Sequence, residues 1–89
     1  MTLYVDEAIY PYRGQLWCHL YSDAGTNELH LFAATIGLSR SWFQDKPEFP
    51  HYDLSPKFRA IATRNGAREI TSKEMVNLKR VANGQDVLP

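Results

Sequence analysis

Apolar residues along the chain come in short runs with two different periods, and each change of period marks an element. Leu3-Tyr4-Val5 is aromatic and β-branched and closes on Asp6, which predicts a first strand. Tyr10-Pro11-Tyr12-Arg13-Gly14 reads as a loop. From Leu16 to Tyr21 the side chains alternate, with Cys18 and Leu20 on one face and Trp17, His19 and Tyr21 on the other. This is a second strand with bulk, and therefore cover, on both sides. Leu29, Phe32, Ala33 and Ile36 then recur at helical spacing, so a helix should open near Thr26 or Asn27 and stop at Gly37.

Ser39 to Phe43 predicts a further helical turn, after which Pro47 and Pro50 keep the linker out of regular pairing. The stretch from Trp42 to Asp53 is thus expected to be a stiffened loop rich in aromatic and ionisable groups, the kind of segment that carries function. Ser55-Pro56 pairs an N-cap with a proline at the first helical position, and Phe58, Ile61 and Ala62 supply that helix's apolar stripe up to Asn65-Gly66. Arg68 to Thr71 predicts a brief strand centred on Ile70. Thr71-Ser-Lys-Glu74 matches a capping box, opening a third helix with Met75, Leu78 and Ala82 inward and Gly84 as its stop.

The expected fold is α/β: a small mixed three-stranded sheet packed with about three helices, in the order β-β-α-α-β-α. One domain spans residues 1–84, with a tail at 85–89, and Leu29, Phe32, Ile36, Phe58, Ile61, Met75 and Leu78 should share its core. The nine residues between Asp6 and Leu16 are short for a parallel crossover, which leaves the relative direction of the first two strands open. In a mainly parallel sheet, Asp6, Ser22-Asp23 and Thr71-Ser72 would share the carboxyl edge where such sheets bind ligands.

Composition narrows the class. An 89-residue chain that is 44% hydrophobic has room for one small core and is not disordered. It should fold alone or as a small homo-oligomer. The single cysteine, Cys18, excludes an internal disulfide and a cysteine-rich zinc knot, and in an apolar strand it should be an inert thiol. No long apolar run or basic leader is present, so a cytoplasmic protein with no membrane partner is expected. Net charge is zero but uneven: residues 1–53 hold seven acids and three bases, residues 55–80 seven bases and two acids. That basic half is either a solvated helix surface or a phosphate-facing one.

Three constellations carry possible chemistry. His19, Asp23, His30, His51 and Asp53 are suitable ligands for zinc, manganese or iron, although no helical His-x-x-x-His pair reinforces them. Asp6, Asp23, Glu28 and Asp53 could instead hold magnesium for a nuclease, yet Asp23 and Glu28 also suit turn and helix-start positions. The rings of Trp17, Tyr21, Trp42, Phe43 and Tyr52, with Arg40, Lys57 and Arg59 nearby, could stack a base and hold its phosphate; Trp17 and Phe43 also suit a core. Gly66-Ala67-Arg68 followed by Ser72 to Arg80 has a connection too long and strand-like for a good helix-turn-helix.

Trp17-Cys18-His19-Leu20, Ser22-Asp23, Glu28-Leu29-His30-x-Phe32-Ala33, Ile36-Gly37, Trp42-Phe43-Gln44, His51-Tyr52-Asp53 and Asn65-Gly66-Ala67 together resemble the bacterial and phage domain-of-unknown-function family 4031. The resemblance runs from about Tyr4 to Met75 and implies a compact single domain without an established activity. It also implies a shorter link than Asp45 to Pro50 between the Trp-Phe-Gln and His-Tyr-Asp segments.

The function expected from these features is a non-enzymatic binding module for a nucleotide-like or phosphorylated ligand, or for a nucleic-acid end. Trp42, His51, Tyr52, Asp53, Lys57 and Arg59 would grip it. A phage-borne protein of this kind could sequester a host signalling nucleotide. The alternatives are a metal-dependent phosphodiesterase or nuclease using Asp6, Asp23, His51 and Asp53, and a protein-interaction adaptor without a ligand site.

Overall fold

A computed structural model describes residues 2–89. Six strands and three α-helices follow one another as β1 (Leu3–Val5), β2 (Tyr10–Tyr12), β3 (Gln15–Ser22), α1 (Thr26–Thr35), β4 (Phe43–Gln44), β5 (His51–Leu54), α2 (Pro56–Arg64), β6 (Arg68–Glu69) and α3 (Ser72–Ala82). The α/β class with three helices stands. The three-stranded sheet is corrected to a six-stranded one, ordered β4-β5-β3-β1-β6 with β2 paired to β3 alongside.

Three of the added strands were hidden by local chemistry. Tyr10–Tyr12 folds back on β3 through Arg13 and Gly14, both at positive φ (49° and 73°), as a two-residue hairpin turn of the primed type requires. Arginine is an unusual occupant of the first position, so the turn does not announce itself. β4 has only two residues and leaves a 3-10 turn at Arg40–Trp42, where one further turn of helix is expected. β5 is the consequential correction: the His-Tyr-Asp segment is not a loop but a strand held between β3 and β4. Its residues alternate, with Tyr52 (1% exposed) and Leu54 (0%) buried in the core and His51 and Asp53 on the other face.

β1 runs antiparallel to β3 and parallel to β6. Asp6 and Asp23 therefore lie at opposite edges of the sheet: the parallel β1 and β6 keep Asp6 and Thr71-Ser72 at one carboxyl edge, while Ser22-Asp23 is removed from it. Asp23 closes the N-terminus instead, accepting from the Thr2 amide at 2.9 Å and from the Tyr4 hydroxyl at 3.2 Å.

The core face of the sheet, with Val5, Cys18, Leu20, Tyr52 and Leu54, is covered by α1 and α2 through Leu29, Ala33, Ile36 and Ala62. Phe32, Phe58 and Ile61 pack against this cluster but stay partly exposed. Met75 and Leu78 do not join it, because α3 covers the opposite face with Tyr21, Ile70 and Phe49. The expected single core is therefore two layers.

Caps explain the helix starts. Ser55 accepts from the Phe58 amide at 3.4 Å with Pro56 at the first position, and Thr71 and Glu74 make both bonds of a capping box. The first helix is capped by Gly25 (φ 101°) rather than by Thr26 or Asn27.

Burial raises the Cys18 thiol to about 12, the main cause being its removal from water. At pH 8 the native protein should resist alkylation by iodoacetamide and react only once unfolded, a difference that intact-mass measurements will show.

Candidate metal centre on the α3 side of the sheet

The register of β3 and β5 sets His19 directly opposite Asp53, and the two-residue period puts His51 on the same face. Ligand atoms of His19, His51 and Asp53 all lie within 4.8 Å of one another. His51 Nε2 is 3.3 Å from Asp53 Oδ1. Two ligands about 2.0–2.2 Å from an ion at a tetrahedral angle stand roughly 3.3–3.6 Å apart, so this pair already has that spacing and the trio needs to close by only about an ångström at its widest.

Both imidazoles are oriented from behind. Nδ1 of His19 pairs with Asp6 Oδ2 at 2.8 Å, while Asp6 Oδ1 accepts the His19 backbone amide at 2.7 Å. Asp6 is 1% exposed, and this double bond to one residue accounts for a carboxylate buried at the end of β1. Nδ1 of His51 donates to the Phe49 carbonyl at 2.7 Å. With both Nδ1 atoms engaged, Nε2 of each ring is the atom left for a ligand, the arrangement that fixes metal-binding histidines elsewhere. His51 Nε2 faces Asp53 Oδ1, and that pairing holds the Asp53 carboxyl below its ordinary value against partial burial that pushes it up. An ion held by both would replace the contact, since the nitrogen cannot at once donate a proton and ligate.

Aromatic rings wall the trio. Phe49 stacks on His51 with centroids 4.5 Å apart and meets His19 edge-on at 5.4 Å; Tyr10 lies 4.6 Å from His19 on the other side. Phe49 belongs to the Asp45–Pro50 linker, which is tied to α3 by the Asn83 side chain donating to the Glu48 carbonyl at 2.8 Å. A cavity of about 650 Å³ adjoins the trio at Asp53, with Trp42, Trp17 and Tyr12 among its walls.

Comparison with protein families bears on this arrangement. The family described as "Protein of unknown function (DUF4031)" matches residues 3–82. The chain belongs to that family. The DUF4031 match spans every strand and helix described above, the trio and Asp6 included. Neither the curated proteins nor the solved structures give a match.

The residues singled out from the DUF4031 sequence are thus partly united and partly separated. His51 and Asp53 stand together, joined by His19; Asp6 is the brace behind His19, and Asp23 is across the sheet. Tyr52 points the opposite way into the core, where its hydroxyl bonds His30 Nδ1 at 2.8 Å. Burial accordingly raises the Tyr52 phenol and lowers His30. Trp42, 48% exposed, reaches the cavity rather than the trio. Arg59 is occupied beneath β1, donating to the Asp6 carbonyl and to Glu69, each at 3.0 Å. Lys57 stands over the Phe58 ring, 5.7 Å from its centre. Phe49 and Arg13 were not signalled by sequence reading, since the first looks like a linker residue and the second like a turn.

Proposed function

We propose that this protein is a small metal-dependent hydrolase of phosphate esters, with a divalent transition metal held by His19, His51 and Asp53. The observation that carries the reading is the trio itself, a 2-His-1-carboxylate set on one sheet face with both Nδ1 atoms committed elsewhere. Imidazole with carboxylate suits zinc, manganese or iron(II), and three protein ligands leave positions for water and substrate. Held by His19, His51 and Asp53, such an ion would supply an activated water and a Lewis acid for a phosphoryl oxygen. Asp6 and the Phe49 carbonyl hold the rings in the binding tautomer, and the rings of Tyr10 and Phe49 pack against the imidazoles.

Support for an anionic substrate comes from Arg13 on the cavity wall and from Lys46, close enough for its charge to favour the Asp53 carboxylate. The magnesium set of Asp6, Asp23, Glu28 and Asp53 is less well supported, because Asp6 and Asp23 are engaged at opposite edges. The non-catalytic binding module keeps one supporting feature, the aromatic cavity.

Bis(p-nitrophenyl) phosphate tests the reading. Manganese- or zinc-loaded protein should release nitrophenolate, excess EDTA should stop the release, and D53N should show none. Absence of turnover by protein with metal demonstrably bound would leave a metal-binding module instead. Asp6→Asn retains one acceptor oxygen but weakens the brace, and should reduce metal affinity about 10–100-fold, as loss of an orienting carboxylate does elsewhere. Calorimetric titration of the variant with zinc checks this.

A further inference from the structure

We propose that the cavity beside Asp53 takes the planar ring of a nucleotide, with the phosphate reaching the metal centre; this rests on the metal-dependent reading above. Five rings border the cavity, those of Tyr10, Tyr12, Trp17, Trp42 and Phe58. Its volume of about 650 Å³ lies within the range of small-molecule sites and suits one base with its sugar. Trp42 is the ring most able to accept a stacked base: it meets Phe58 only edge-on at 6.0 Å and remains 48% exposed. Trp17 is fixed instead, its indole N–H donating to the Tyr12 carbonyl at 2.9 Å.

The polar groups are placed for the rest of such a ligand. Ser41 and Gln44 on the cavity wall offer donors and acceptors to the edge of a base, which an aliphatic chain would leave unpaired. Arg13 borders the same space, its guanidinium seated 5.3 Å from the centre of the Tyr12 ring, and supplies positive charge for an anion. Asp53 belongs both to the cavity wall and to the trio. A ring held against Trp42 and a phosphate at the metal are therefore demands of one continuous site.

Both tryptophans of the chain line this cavity, so intrinsic fluorescence reports its occupancy. Zinc-loaded protein would be titrated with adenosine 5′-monophosphate, adenosine and ribose 5-phosphate. The expected result is saturable quenching by the monophosphate, weaker binding of adenosine and no quenching by ribose 5-phosphate. W42A should lose at least about tenfold in affinity for the monophosphate while its zinc titration is unchanged. H19N, which leaves the cavity wall as it is, should lose zinc and the advantage of the phosphate but keep quenching by adenosine. A short single-stranded oligonucleotide bound over tenfold tighter than the monophosphate assigns the ring to a strand end; equal or weaker binding assigns it to a free nucleotide. Equal affinities for monophosphate and ribose 5-phosphate, or W42A binding like wild type, would overturn the proposal while leaving zinc binding intact. Failure of wild type to bind zinc would overturn the metal reading and this proposal with it.

Discussion

His51→Ala should abolish metal binding at concentrations that saturate the wild type, a larger loss than the roughly 10–100-fold expected when only a brace behind a ligand is removed. The ring supplies one of three ligand atoms, and its loss also removes the face on which Phe49 stacks at 4.5 Å. His51 is 6% exposed in a strand paired on both sides, so this substitution lowers stability as well. A side chain in an exposed loop could be truncated at little thermal cost, but His51 in a paired strand cannot. Asp53 is 44% exposed, and Asp53→Asn keeps its shape, so that variant separates the two effects. It should melt near the wild type in EDTA and gain nothing from zinc. An H51A protein that still binds zinc with wild-type affinity would remove the imidazole from the site.

The second large effect is on folding. Leu20→Ala should cost about 2–5 kcal/mol, the usual range for truncating a buried leucine. Leu20 is fully buried in β3, which pairs with β1 and β5 on its two sides. For a domain of 89 residues this approaches the whole of its stability. Phe32→Ala should cost less than Leu20→Ala, because Phe32, which helical spacing places in the core, is only partly buried. Urea denaturation of both variants decides the order, and the reverse order would contradict the packing described here.

What the sequence revealed and concealed has a physical pattern. Helix starts depend on local chemistry, so Ser55-Pro56 and the Thr71–Glu74 box could be recognised at once, and both form. β1 and β3 carry enough apolar alternation to stand out. β5 has the same alternation, but over four residues and with His51 and Asp53 on one side, so its ionisable face disguised a strand buried on the other. β4 has two residues and exists only through its pairing with β5, whereas β6, equally short, forms within the strand expected at Arg68 to Thr71.

The site follows the same rule. Its residue types were legible, for His19, His51 and Asp53 all belong to the His/Asp set that composition suggests. Their conjunction was not, because it arises from the pairing of His19 with Asp53 across 34 positions of sequence. Asp6 belongs to the acid set read from the sequence, and antiparallel pairing of β1 with β3 sets it against the His19 ring and amide. The basic second half allowed either a solvated or a phosphate-facing surface, and Arg59 is spent within the fold on the Asp6 carbonyl and Glu69.

Metal stoichiometry tests the central claim most directly. Apo protein, stripped with EDTA and dialysed, would be titrated with zinc and with manganese in a calorimeter, and the bound metal counted by elemental analysis. One ion per chain is predicted for the wild type and none for D53N. Ion at about a hundred times its dissociation constant should add about 2.7 kcal/mol to wild-type stability. A wild-type chain that binds neither ion, melts at the same temperature with and without them, and is indistinguishable from D53N would contradict the account.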